Sequence, residues 1–206
     1  MHTAKSWGYA CGDGCFADLT LPRESVKREQ RAFTDDEVRR MIQAASEPFA
    51  TILVLTAVLG LKIGETLGLR VSDLDFAKRI VGVRQSVDSA SRTINGVKSR
   101  ASSADLPMST ELEARLRAHL SRRKRKSDLL FVNRCGRPLC ADKLREKQLH
   151  PLLEKLGIEK GGFHSMRHGA ASALLAEGAS PALVQRQLRH SDPRITLGVY
   201  AHVLGD

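Results

Sequence analysis

The chain has 206 residues, a formal net charge of +10 and an apolar fraction of 42%. That size suits one domain with at most a remnant of another, the apolar fraction suffices for a packed core, and the charge points to a polyanionic partner. The longest apolar run, residues 49–61, is too short to cross a bilayer, and no basic start leading into an apolar stretch marks a signal peptide.

Residues 1–30 read as an incomplete unit and a linker: Lys5 to Phe16 suits a helix end and a turn, and Leu21 to Arg31 is polar and basic. Thr34-Asp35-Asp36-Glu37 is a capping box, opening a helix with Val38, Met41 and Ile42 on one face. Pro48 opens an apolar helix running towards Leu61. Leu59-Gly60-Leu61 then brings Lys62 to the start of a second helical stretch with Glu65, Leu67 and Leu69, ended by Val71 to Asp75. Residues 80–108 change character. Ile80 to Val83 reads as a strand, Asn95-Gly96 as a tight turn and Ala104 to Met108 as a further strand, with Lys98 in or beside a hairpin.

Thr110-x-x-Glu113 reads as a second capping box, opening a helix to about Arg123. The basic run Ser121 to Lys126 reads either as a solvated helix end, where cations suit the dipole, or as a phosphate contact through Arg123, Lys124 and Arg125. Leu129 to Val132 is a short apolar stretch before the turn Arg134 to Pro138. Asp142 to Leu156 is helical and ends at Gly157; Phe163 to Ala176 is helical and is closed by Gly178. Ser180 caps a helix with Pro181 at its first position, running to about Arg189, and Thr196 to Leu204 forms a last short helix. The expected fold is mainly α with a small antiparallel β-sheet, an α+β arrangement.

The cysteines fall as Cys11/Cys15 and Cys135/Cys140. Paired short spacings suit zinc, but no motif fixes a geometry, so the reading is free thiols in a reducing compartment, with no metal and no cofactor.

The chemistry concentrates in the last quarter: His164, Arg167, His190 and Tyr200. These are the groups needed to attack a DNA phosphate without a metal. A phenol is the nucleophile, and basic groups hold the phosphate and neutralise the charge that builds on it. His164 and Arg167 stand three residues apart and share a helix face. A phenol with a pKa near ~10 needs a base or a strong positive field, which the neighbouring Arg and His supply. In the bland reading, Tyr200 is a packed amphipathic side chain and Lys98 a surface charge.

The order and wording of these boxes resemble the catalytic domain of tyrosine-type site-specific recombinases, the phage integrase family. His164-Ser165-Met166-Arg167 resembles the family's H-x-x-R box. Leu188-Arg189-His190 resembles its L-G-H box, with Arg189 where glycine is usual. Thr196 to His202 resembles its nucleophile box. Gly60 to Glu65, continuing through Leu69 to Asp73, resembles the family's first-arginine box, with Lys62 where that arginine stands. Lys98, within Val97 to Ser102, resembles the hairpin lysine. Together they run from about Arg31 to Asp206, in the family's order.

The resemblance implies a catalytic domain over residues 31–206, with residues 1–30 as the remnant of an N-terminal DNA-binding domain and linker. It implies site-specific recombination or integration of double-stranded DNA, as in phages and mobile elements, by cleavage and rejoining through a 3′-phosphotyrosine. Tyr200 would attack, Arg167 grip the phosphate, His164 and His190 donate to its oxygens or shuttle protons, Lys98 protonate the departing 5′ oxygen and Lys62 contribute charge. Glu65 has the position of the acidic residue that orients its basic neighbours. Arg100, Arg123, Lys124 and Arg125 are the expected DNA contacts. The implied assembly is a homo-tetramer on DNA, possible as a monomer in solution, in the prokaryotic cytoplasm and without a membrane. Lysine is a point charge on a flexible stem and lacks the guanidinium fork. The competing expectation is therefore a DNA-binding module of the same fold whose chemistry is impaired at Lys62. A type IB topoisomerase and a plain helix-turn-helix regulator fit fewer of the boxes.

Overall fold

The structure, a computed structural model, describes residues 31–96, 103–123 and 127–189. The first helix, α1 (Asp35–Ala44), starts where the sequence predicts. The Glu37 N–H donates to Thr34 Oγ1 at 3.3 Å, and the Thr34 N–H donates to Glu37 Oε2 at 3.0 Å.

Helix α2 (Phe49–Val58) is the centre of the molecule. Seven of its ten residues are buried, because a helix apolar all round must be surrounded. It packs against α1, α3 (Ile63–Gly68), α4 (Thr110–Arg122) and α7 (Phe163–Ala176). Its buried hydroxyls are satisfied: Thr51 Oγ1 donates to Glu47 Oε2 at 2.7 Å and Thr56 Oγ1 to the Ile52 carbonyl at 2.9 Å. The Phe49 and Phe163 rings meet edge to face, 6.4 Å between centroids.

After α3 a 3-10 turn (Val71–Asp73) leads into an antiparallel sheet of β1 (Leu74–Asp75), β2 (Ile80–Val83) and β5 (Ala104–Pro107), in the order β1-β2-β5. Leu74 pairs with Val81, and Val81 in turn with Leu106. A separate hairpin joins β3 (Gln85–Val87) to β4 (Ile94–Gly96). Asn95-Gly96 is not the turn: both residues lie in β4, opposite Ser86 and Gln85. Asp88 closes the hairpin earlier. Its carboxylate accepts from the N–H groups of Ala90 and Ser91 at 3.1 and 2.9 Å, and Arg92 takes the left-handed conformation at φ 56°.

The hairpin lies against α3 at main-chain distance. A Cβ on Gly64 would sit 2.6 Å from the Val87 carbonyl oxygen, and one on Gly68 3.0 Å from that of Gln85. Gln85, buried, bonds the two elements: its Nε2 donates to the Gly68 carbonyl at 2.7 Å, and its Oε1 accepts from the Arg70 guanidinium.

Helix α4 is capped by Ser109, whose Oγ accepts from the Leu112 N–H at 3.2 Å, rather than by Thr110. The cap therefore sits one residue before the box read from the sequence. Next, α5 (Ala141–Leu144) runs through a π turn (Arg145–Leu149) into α6 (His150–Leu156). Pro151 follows this turn. It lacks an N–H and its ring crowds the carbonyl four residues back, which favours a wider turn there. Helix α7 spans Phe163–Ala176 as expected, and α8 (Pro181–Leu188) is capped by Ser180 with proline at its start.

The core has two parts. The larger runs from Phe33 to Met166 and includes most of α2. The smaller consists of Ala171, Leu175, Val184 and Leu188, between α7 and α8. No helix among the described residues is long and apolar enough to cross a membrane.

Candidate active site

The site lies where the two cores meet. Gly60, at φ 60°, turns the chain between α2 and α3, and its carbonyl faces α7. There it accepts from Arg167 Nη1 at 2.5 Å, while Arg167 Nη2 donates to the Leu188 carbonyl at the end of α8. Arg167 is buried, so its guanidinium is fixed by three elements at once. Burial pushes its pKa down to about 10, with Glu65 opposing that shift and Arg189 adding to it. It stays protonated at neutral pH.

Lys62 is the N-cap of α3 and is exposed. Its N–H donates to Glu65 Oε2 at 3.0 Å, half of a capping box that holds this helix start. Glu65 is buried, and the same Oε2 accepts from Arg189 Nη2 at 2.6 Å. The two side chains are 4% and 2% exposed, so this is a desolvated ion pair. Arg189 holds φ 56° and ψ 43° just after α8, a left-handed conformation that costs a non-glycine residue about 1–2 kcal/mol. Glycine suits this position in the L-G-H box for that reason.

His164 sits one turn before Arg167 on α7, with an open face to solvent. Its imidazole is pushed below the usual histidine value by desolvation first, then by the charges of Arg167 and Lys62. The ring is partly open, so solvent screens those charges. His168, one turn further on, is shifted the same way by burial, His164 and Arg167. Both histidines line a cleft of about 250 Å³ together with Ile63, Ser89 and Arg145. Asp142 lines the cleft as well, and its carboxylate pairs with Arg145 at 2.9 Å, so the two imidazoles face an arginine already matched by an acid.

Of the residues singled out in the sequence, the structure brings Lys62, His164 and Arg167 together. Lys98, Arg100, Lys124, Arg125, His190 and Tyr200 lie outside the described residues. Arg123 ends α4 with its Nη2 on the carbonyls of Ser127 and Leu129, at 2.8 and 2.6 Å, so part of its donor set serves the loop. The sequence reading missed the pairing of Arg189 with Glu65. Its only trace there is that positions 62 and 189 both depart from the family's wording. Among the described residues no three His, Cys, Asp or Glu side chains converge as metal ligands, and Cys135 and Cys140 are free thiols.

The pattern of the phage integrase family matches residues 31–205. The chain is 26% identical to the tyrosine recombinase XerC-like protein of Caldanaerobacter subterraneus subsp. tengcongensis, covering 89% of this chain and 53% of that protein. It is 29% identical to tyrosine recombinase XerA of Pyrococcus horikoshii, covering 79% and 53%. The chain thus spans about half the length of these curated relatives. The fold is similar to that of the Tn1549 transposon integrase in complex with a circular intermediate DNA, with a TM-score of 0.74 at 21% identity over 87% of this chain and 64% of that one. It is also similar to the XerA recombinase crystal structure, with a TM-score of 0.68 at 22% identity over 96% and 66%. With that match over nearly its whole length, the chain belongs to the phage integrase family, the tyrosine recombinases.

Proposed function

We propose that residues 31–206 form the catalytic domain of a site-specific DNA recombinase that cleaves and rejoins double-stranded DNA through Tyr200. The observation that carries this reading is the convergence of Lys62, His164 and Arg167 around buried Glu65, from the start of α3 and the N-terminal half of α7. A phosphodiester has two non-bridging oxygens to be gripped, and charge grows on them as the phosphorus becomes five-coordinate. Arg167 meets it with a guanidinium whose position is already set by the Gly60 and Leu188 carbonyls, so the positive charge is in place before the phosphate arrives. His164, neutral at pH 7 because its pKa is lowered, acts as a hydrogen-bond partner rather than a further cation.

In the proposed step, Tyr200 Oη attacks phosphorus and loses its proton to a neighbouring base, for which His190 is the assigned residue. The bond from phosphorus to the 5′ oxygen breaks, and Lys98 gives that oxygen a proton. The ester passes to the tyrosine as a 3′-phosphotyrosine. A 5′-hydroxyl from a second strand then attacks it and frees the phenol. Bond energy is kept throughout, so no nucleotide is consumed. Arg100, Arg123, Lys124 and Arg125 contact the backbone of the duplex, and four copies act together on two duplexes.

Covalent trapping tests this. Nicked suicide duplexes made from the DNA flanking the gene are incubated with the chain and with Tyr200→Phe. A protein–DNA adduct that disappears in Tyr200→Phe is expected. An adduct that persists in Tyr200→Phe, or none from the chain and from Lys62→Arg alike, refutes the reading. An adduct from Lys62→Arg alone assigns the chain to the impaired DNA-binding module instead.

A further inference from the structure

Two departures from the family wording, lysine at 62 and arginine at 189, flank one carboxylate. Glu65 Oε2 accepts from the main-chain N–H at 62 at 3.0 Å, a bond any residue there but proline would give, and from the side chain of Arg189, through Nη2, at 2.6 Å, although 124 residues separate Glu65 from Arg189. Lys62 is exposed, and the ion pair that Glu65 makes is with Arg189. We propose that Arg189 is a positioning residue of the cleavage site, giving Glu65 the guanidinium that an arginine at 62 would otherwise bring.

Arg189 holds a left-handed backbone that glycine would adopt freely, and a strained residue kept at a site marks a compensating gain. Its Nε is buried without a hydrogen-bond partner, so the side chain accepts a second cost to keep its place on Glu65. The residue before it, Leu188, gives its carbonyl to Arg167. Clamping Arg189 to Glu65 therefore fixes the end of α8 against the start of α3, and with it the carbonyl that orients Arg167. Glu65 is neutralised from inside, so the Lys62 ammonium remains available to a phosphate as a mobile point charge. On this account Lys62 and Arg189 are one compensated change.

This rests on the recombinase reading above, and a double-mutant cycle separates the two. Four versions are compared: the chain, Arg189→Gly, Lys62→Arg, and both together. Single-turnover adduct formation is measured on the same suicide duplexes at a temperature where thermal melts show all four folded. Arg189→Gly should slow adduct formation at least ~10-fold beside Lys62, but less than ~3-fold beside arginine at 62, because contacting sites couple and independent ones do not. Arg189→Lys, which keeps a charge at Glu65, should retain part of the rate. A merely structural arginine would lower the melting temperature equally in both backgrounds and leave the rate of folded protein unchanged; that outcome overturns the proposal. Equal rates from the chain and Arg189→Gly overturn it while the recombinase reading stands. No adduct from any of the four overturns the recombinase reading, and this proposal with it.

Discussion

Gly60→Ala tests whether the junction of the two cores is as tight as its geometry. Gly60 has φ 60°, and a Cβ there would lie 2.1 Å from Leu188 Cδ2. Two costs add. Placing alanine in the left-handed region costs about 1–2 kcal/mol. Forcing a methyl into a filled site costs roughly 1–3 kcal/mol more, since Leu188 is 1% exposed and has little room to turn. The sum is about 2–5 kcal/mol, and for a domain of this size each kcal/mol lowers Tm by roughly 2–4 °C. Gly157→Ala is the internal control. Gly157 has φ 64°, but nothing lies within 4 Å of its Cβ position, so only the backbone cost applies. Thermal unfolding followed by circular dichroism should show Gly60→Ala melting well below Gly157→Ala. Equal drops would refute the reasoning, because they would mean that Leu188 yields and the seam is loose.

Replacing Gln85 by leucine keeps its bulk but leaves the buried Gly68 carbonyl without its donor, which should cost about 1–3 kcal/mol in urea unfolding; a neutral result would mean that water or another donor reaches this carbonyl. Acid should weaken the fold through His164 and His168. Both are held below the ordinary value of 6.5, so their contribution is fully present above that pH and is lost as the pH falls through their lowered values. The urea midpoint should begin to drop as the pH falls below 6.5, and less steeply in a His164→Gln, His168→Gln chain. Identical slopes in the two chains would show that carboxylates elsewhere control the acid limb.

Local chemistry was what the sequence made legible. Thr34 with Glu37, Ser180 with Pro181, and Gly157 and Gly178 at helix ends are decided by neighbours a few residues away, and each stands where expected. Asn95-Gly96 was misread because that pair suits a turn anywhere, while Asp88 supplied the acceptor that set the turn earlier. The Ser109 cap displaced Thr110 because a lone serine hydroxyl can cap without a glutamate three residues on, so the Thr110-x-x-Glu113 wording pointed one residue too late. Lys62, His164 and Arg167 were legible through the family's wording, whereas the Arg189 clamp depends on a contact across 124 residues. Gln85 was missed for the same reason: its partners lie on α3 and beyond, outside any periodic pattern.

The contact between α3 and the β3–β4 hairpin also bears on how freely this sequence can drift. Where Gly64 and Gly68 meet the strand, the carbonyls of Val87 and Gln85 are within 2.6 and 3.0 Å of where a Cβ would be. Every residue type carries that carbonyl, so exchanging side chains along the outward side of the strand leaves the spacing unchanged. The distance between the Lys62–Glu65 end of the site and the hairpin is written into two glycines, while on the strand Gln85 and the small Ser86, whose Oγ lies 2.6 Å from the Gly64 Cβ position, are held in turn.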